Sequence, residues 1–267
     1  MTPGAITRRN MLAAMAGGAV AMSGIAPAAA LTPVPVRDAR INKLIGQASH
    51  LPSIAMRVAF ISHALLGSPY RAHTLVGGPR RPERLVVRDD VFDCVTFLET
   101  VLAAARSRDT SQLPSQLRLI RYRDGSVEWH ARNHYFADWC ANNIANKVCR
   151  PLALPGSTTV NKRLTSEPGL PPHRVAMTAL PVGALFEHKL LLATGDIIGF
   201  MSRRPGLDYF HSGFIVVDDA GGLWLRHAAE SRGRALDQPL PRFLRDNRTQ
   251  AVTLLRVREP VPGPVLI

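Results

Sequence analysis

The chain has 267 residues, 46% of them hydrophobic and 20% charged, with a formal net charge of +13. That length supports one substantial core or a compact domain with insertions, and the charge favours polyanionic partners without naming one. Beyond the first thirty residues no stretch approaches the ~20 apolar residues that a bilayer span requires, which excludes further membrane-spanning segments.

Residues 1–30 carry two charges, Arg8 and Arg9, then an apolar run from Met11 to Ile25 and the small-residue stretch Ala26-Pro27-Ala28-Ala29-Ala30. This is the layout of a secretory signal cleaved after Ala28 or Ala30, and the adjacent arginines resemble the twin-arginine subtype. The mature protein is expected to be soluble and periplasmic or secreted. Without the two signal arginines its charge is about +11. Export argues against nucleic acid as the polyanion and leaves acidic cell-wall material and anionic membrane surfaces. Of the three cysteines, Cys94, Cys140 and Cys149, an odd count leaves at least one free thiol or an intermolecular pair. Cys140 and Cys149 either pair or stay free.

After an extended leader at 31–37, two helices are expected near 38–49 and 52–66, the second from the spacing of Ile54, Val58, Ile61 and Leu65. Residues 76–82 read as a loop and Glu83–Arg88 as a short strand. Asp93 is an N-cap candidate for a helix running to Arg106, whose apolar face is Val95, Leu98, Val101, Leu102 and Ala105. Leu117–Tyr122, Asp124-Gly125 and Val127–His130 read as strand, turn and strand. A helix is expected at 134–144, and an irregular proline-rich excursion at 146–180. Strands follow at 195–201, 210–218 and 223–228, then a short helix at 239–246 and a strand at 250–257. Helices first and strands later predict an α+β domain over 31–267 with a mostly antiparallel sheet.

Cys94 falls in the first turn of its helix, where unpaired N–H groups and the peptide dipoles favour a thiolate. An imidazole can take the thiol proton and later protonate a leaving amine. The same turn's N–H groups can face an oxyanion. His211 opens one predicted strand and His227 closes the next, so a hairpin makes them neighbours at one sheet edge. One then serves as base and the other as the group that orients it, with Asp208 or Glu230 as other candidates for the orienting role. Glu99, one turn beyond Cys94, reads as the partner of a structural arginine, and Asp196 as the holder of a turn.

The run from Gly195 through Ser231, with its GDIIGF, LDYFHSGFIVV and LWLRHAAES segments, resembles NlpC-type, papain-like cell-wall peptidases. The segments FDCVTFLETVLAAAR (Phe92–Arg106), IRYRDG (Ile120–Gly125), RNHYFADW (Arg132–Trp139) and GSPYRAHTL (Gly67–Leu75) resemble one branch, the N-acetylmuramoyl-L-alanine amidase-like family. The resemblance spans about residues 50–257. It implies a papain-like α+β fold, no metal or organic cofactor, and hydrolysis of the amide between MurNAc and L-Ala in peptidoglycan or muropeptides. It also implies Cys94 as nucleophile, His211 as base and His227 as third member. Tyr70 matches a substrate or oxyanion contact, and Arg132 and His134 fall in a motif that lines the cleft. The sequence departs from the pattern after His227, where Ala228-Ala229 replaces a small-Ser pair, and 146–180 matches loosely. No appended wall-binding module is read here, so recognition is expected from the domain itself.

Other readings stay open. An endopeptidase of the same fold would cut between D-Glu and the diamino acid. A zinc hydrolase would use Cys94, His211 and His227 as ligands, although no H-E-x-x-H is present. A non-catalytic relative would bind the cell wall and cleave nothing. The sequence does not fix the oligomeric state.

Overall fold

The computed structural model describes residues 39–260; the expected signal at 1–30 and leader at 31–37 lie outside them. The helices α1 (Ala39–Ala48) and α2 (Ile54–Ala64) precede a small hairpin of β1 (Val76–Gly78) and β2 (Arg81–Arg84). The helix α3 (Cys94–Arg106) follows, then α4 (Leu113–Arg121) and α5 (Phe136–Ala145). The remaining elements are β3 (Cys149–Pro151), β4 (Thr158–Leu164), β5 (His173–Pro181), α6 (Val182–Glu187), β6 (Ile197–Met201), β7 (Tyr209–Val217), β8 (Leu223–Ala229), β9 (Arg234–Pro239), α7 (Leu240–Asp246) and β10 (Ala251–Val257). Eight strands form one antiparallel sheet in the order β4-β5-β10-β6-β7-β8-β9, with β3 also on β10. The α+β expectation with a mostly antiparallel sheet therefore holds.

Apolar residues on the two sides of the sheet make two cores. On one, Phe97, Leu98 and Leu102 of α3 pack with Ile197 and Phe214, together with Ile41, Ile61, Leu117 and Trp139 from α1, α2, α4 and α5. On the other, Leu185 of α6 and Leu240, Phe243 and Leu244 of α7 cover Ile198, Phe200, Ile215 and Leu225. Burial on both sides explains why β6 is continuously apolar instead of alternating. The helix α3 is buried from Thr96 to Arg106, far beyond the single predicted face, because α1, α2 and α4 surround its back while β7 and β8 meet its front.

Three expectations are corrected. Residues 113–121 form a helix, not the first arm of a hairpin, because Leu113, Leu117 and Ile120 fall on one helical face and are all buried. The Asp124-Gly125 reversal does occur, with both residues at positive φ (54° and 65°), but it links α4 to short 3₁₀ turns. The excursion at 146–180 contains a regular hairpin, β4 with β5, paired from Thr158↔Ala179 to Leu164↔His173. Its prolines bound the strands without interrupting them: Pro168, Pro171 and Pro172 sit in the connecting loop and Pro181 ends β5. The predicted strand at 83–88 shifts to Arg81–Arg84. Cys140 and Cys149 are both buried free thiols on α5 and β3.

One local feature positions the candidate site. The β7–β8 ladder runs only from Val217↔Leu223 to Phe214↔Arg226. Past that point β7 stays on β6 as far as Tyr209, with a register irregularity between Phe200 and Met201, and β8 stays on β9 as far as Ala229. The two strands therefore part like a fork, and His211 and His227 lie on its prongs.

Candidate active site

At the fork His211 Nε2 and His227 Nδ1 are 2.6 Å apart, with the rings nearly perpendicular and their centroids at 4.8 Å. Phe243 of α7 packs against both rings, at 5.3 and 5.4 Å. Gly213 makes this possible: a Cβ there would stand 2.6 Å from Leu225 and 3.1 Å from the Cβ of His227. With one proton between the rings, a His211 Nε2–H donating to His227 Nδ1 leaves His211 Nδ1 with a free lone pair. In the same tautomer His227 carries its proton on Nε2, a buried atom without a well-aligned partner, although the Gln238 amide lies close and favours the charged form. Burial, and then the neighbouring His227, push His211 down to about 3. Burial, opposed by Gln238 and Asp237, pushes His227 down to about 4. Both imidazoles are neutral at pH 7.

Cys94 is the first residue of α3. Asp93 caps that helix, its carboxylate accepting from Val95 N–H (3.0 Å) and Thr96 N–H (2.8 Å), while Thr96 Oγ1 accepts from Asp93 N–H at 2.9 Å. This reciprocal box fixes the entry of the chain into the helix. The half-buried thiol meets the hydroxyl and backbone of Ser212, the residue after His211. That hydroxyl is buried and has no well-aligned hydrogen-bond partner. The expectation of a thiol acidified by the helix start is corrected here. Burial, and then the Asp93 carboxylate, push Cys94 up to about 12 against the lowering contribution of Ser212. A cap that is itself an anion offsets the dipole it completes. The resting pair is thus a thiol and neutral imidazoles. Its thiol contact is Ser212, and no thiol–imidazole hydrogen bond is formed among the described residues.

Tyr70 joins this group. Its N–H donates to Gly233 O (2.8 Å), and Arg71 N–H and Phe92 N–H bind Phe92 O and Pro69 O at 2.9 and 3.0 Å. The tyrosine loop is thereby stitched between the lead-in to α3 and the start of β9. Burial, then the charges of Cys94, Glu230 and Asp93, push the phenol up to about 12, so it stays a hydrogen-bond donor.

Arg132 and His134 are engaged elsewhere. Arg132 Nη1 pairs with Glu83 Oε1 at 3.1 Å, and Tyr122 OH donates to the same oxygen at 2.9 Å. The His134 ring packs tilted against Trp129 at 4.5 Å, its Nε2 lies 2.7 Å from the Trp129 carbonyl, and Glu167 is 3.6 Å from Nδ1. Burial pushes His134 down to about 4. Glu99 meets Arg121 at 2.7 Å with both side chains 3% exposed, and Asp196 accepts from Ala193 N–H and pairs with Arg256, as expected for structural carboxylates. Asp208, a candidate for the orienting role, accepts from Ala137 N–H at 2.6 Å, whereas Glu230 lines the cavity below. Sequence reasoning missed Ser212, Gln238 and Phe243. The first was legible as the middle residue of H-x-G, while the other two lie on β9 and α7, which carry no motif.

A cavity of about 350 Å³ opens onto the imidazoles, lined also by Phe210, Glu230, Arg232 and Gln238. Among the described residues no three His, Cys, Asp or Glu side chains are grouped as metal ligands, and no helix is long and apolar enough to cross a membrane.

Comparison with known proteins bears on this arrangement. Among curated proteins none matches the chain. A protein of Legionella pneumophila superposes with a TM-score of 0.71 at 21% identity, over 82% of this chain and 96% of its own, which speaks for the fold alone. An N-acetylmuramoyl-L-alanine amidase from Bacteroides uniformis superposes with a TM-score of 0.66 at 26% identity, over 77% of this chain and 99% of its own. Residues 60–252, which include Tyr70, Cys94, His211 and His227, match the family described as AmiA-like, N-acetylmuramoyl-L-alanine amidase-like. The chain belongs to that N-acetylmuramoyl-L-alanine amidase-like family.

Proposed function

We propose that the protein is an exported cysteine amidase of the papain-like, NlpC-type class that cleaves the MurNAc–L-Ala amide of peptidoglycan. Family membership supports a peptidoglycan hydrolase in general. The observation that carries the cysteine mechanism is the 2.6 Å His211–His227 bond at a fork whose next residue, Ser212, meets the Cys94 thiol. Export rests on the twin-arginine-like segment at 1–30.

The chemistry follows from the tautomer. His211 Nδ1 takes the Cys94 proton as Sγ attacks the lactyl carbonyl of MurNAc. The imidazolium then shares its Nε2–H with His227. Burial works against a standing thiolate–imidazolium pair, so proton transfer accompanies attack and does not precede it. Tyr70 and the Cys94 N–H, the first-turn N–H group that the Asp93 cap does not take, serve the developing oxyanion. The C–N bond breaks as His211 returns the proton to the L-Ala nitrogen, leaving a thioester on Cys94. Water, deprotonated by His211, releases the MurNAc carboxylate and restores the thiol. Arg132 and His134 serve this reading by holding the Trp129 segment through Glu83 and the Trp129 carbonyl.

Mass spectrometry of purified muropeptides after digestion decides the bond. Peptides with a free L-Ala amino terminus and intact MurNAc sugars are expected. A freed diamino-acid amino group would replace the amidase by the endopeptidase, and unchanged muropeptides would favour a wall-binding protein.

A further inference from the structure

The cavity at the imidazoles continues into a second of about 500 Å³, with Ser231, Arg232 and Gln238 common to both. The second cavity adds Arg234 and Arg242. Its charges are unevenly compensated. Asp237 is held by Arg226 Nε and Nη2, at 2.7 Å each. Arg242 has Asp246 at 3.4 Å on the exposed rim. Among the described residues no carboxylate lies within 4 Å of Arg232 or Arg234. Glu230 lines the fork cavity together with Arg232 and acts on the Tyr70 phenol.

The backbone that carries these two arginines is fixed. They flank Gly233, whose φ of 65° is left-handed. Gly233 N–H donates to Glu230 O at 3.0 Å, and Gly233 O accepts from Tyr70. Ala235 N–H donates to Ser68 O at 2.8 Å, and Gly67 N–H to Ala235 O at 2.9 Å. The segment that offers two uncompensated guanidinium groups is therefore tied to the tyrosine loop beside Cys94. Guanidinium forks match carboxylates bidentately, which a carboxamide cannot reproduce.

We propose that Arg232 and Arg234 form an anion subsite that takes a free carboxylate of the stem peptide while the scissile amide lies at the fork. The assignment rests on the peptidoglycan reading above and adds a selectivity to it. The second stem residue, D-Glu linked through its side chain, keeps a free α-carboxylate. At about 3.5 Å per extended residue, that group stands roughly 7 Å from the cleaved nitrogen, on the scale of the step from the imidazoles to the cavity that shares Ser231, Arg232 and Gln238 with theirs. Amidation of the carboxylate removes the charge and should remove the preference.

The test measures binding by calorimetry to the full-length Cys94→Ala protein, using one muropeptide with the free carboxylate and the same muropeptide amidated there. At low salt the acid is expected to bind about tenfold tighter. Adding Arg232→Gln and Arg234→Gln should cut that preference below about twofold, chiefly by weakening the acid, and ~0.5 M salt should act the same way. Circular dichroism checks the fold, and the single substitutions serve if the pair perturbs it. Equal affinities for acid and amide, or a preference that survives both substitutions, overturn the subsite. Cleavage by the wild-type protein is read in parallel. A carboxylate preference without cleavage leaves the subsite standing and removes the amidase reading. Cleavage with no preference does the reverse.

Discussion

The fork at His211 and His227 and the cluster around Glu83, Arg132 and His134 are both buried polar groupings, and they are finished differently. At the fork, polar atoms keep capacity in hand: Ser212 Oγ and His227 Nε2 lack well-aligned partners. In the other cluster Glu83 Oε1 takes two donors, and His134 is held by a ring, a carbonyl and a carboxylate. Among the described residues only Glu83 Oε2 is left there without a partner. A buried polar atom without a partner costs free energy, and at the fork the His227 ring lines a cavity that a ligand can enter. Saturated groups hold shape.

Substitution should separate the two kinds of grouping most sharply through the Glu99–Arg121 pair, which backs α3. Glu99→Ala leaves an uncompensated buried guanidinium and should cost ~3–5 kcal/mol of stability, read as a fall in denaturation midpoint at unchanged m-value. His227→Ala should leave the midpoint within ~1–2 kcal/mol of wild type while lowering kcat about a hundredfold. If His227→Ala destabilised as much as Glu99→Ala and cut kcat only in proportion, the fork would be a structural cluster too.

A smaller effect sharpens the contrast through pH. His134 and His227 are pushed down to about 4, and His211 to about 3, from the ordinary imidazole value near 6.5. Each folded value lies below the unfolded one, so the unfolded chain binds more protons as pH falls below 6.5. Stability is therefore full above that pH and is lost toward pH 4, at up to ~1.4 kcal/mol per pH unit for each buried imidazole. Catalysis should respond differently. With the base near 3 and the thiol near 12, kcat/KM should stay flat between about pH 6 and 9. Thermal melts from about pH 4 to 7 check the first expectation, and rates between about pH 6 and 9 check the second. A bell with limbs inside the second range would contradict the neutral resting pair.

The sequence made the centre of the molecule legible and its edges less so. The strands β6, β7 and β8 and the helix α3 stood out because long apolar runs, a charged cap and two histidines coincide there. The pairing of His211 with His227 followed from hairpin geometry alone. Strand β9 was missed because RALDQP has neither alternation nor an apolar run, yet its register with β8 brings Gln238 to the imidazoles. The β4–β5 hairpin was hidden by prolines that lie between strands, and α4 by a short apolar set that fits either period. The acidity of Cys94 was misjudged because the sequence shows the cap but not the burial around the thiol.

The central claim is that Cys94 is the nucleophile served by His211 and His227. Its most direct test is the initial rate at which L-Ala-terminated peptides appear from a defined muropeptide, compared between the wild-type protein and Cys94→Ala at equal folded concentration. A loss of at least ~10³-fold with an unchanged thermal midpoint is predicted. A Cys94→Ala protein that kept a tenth or more of the wild-type rate would contradict the assignment.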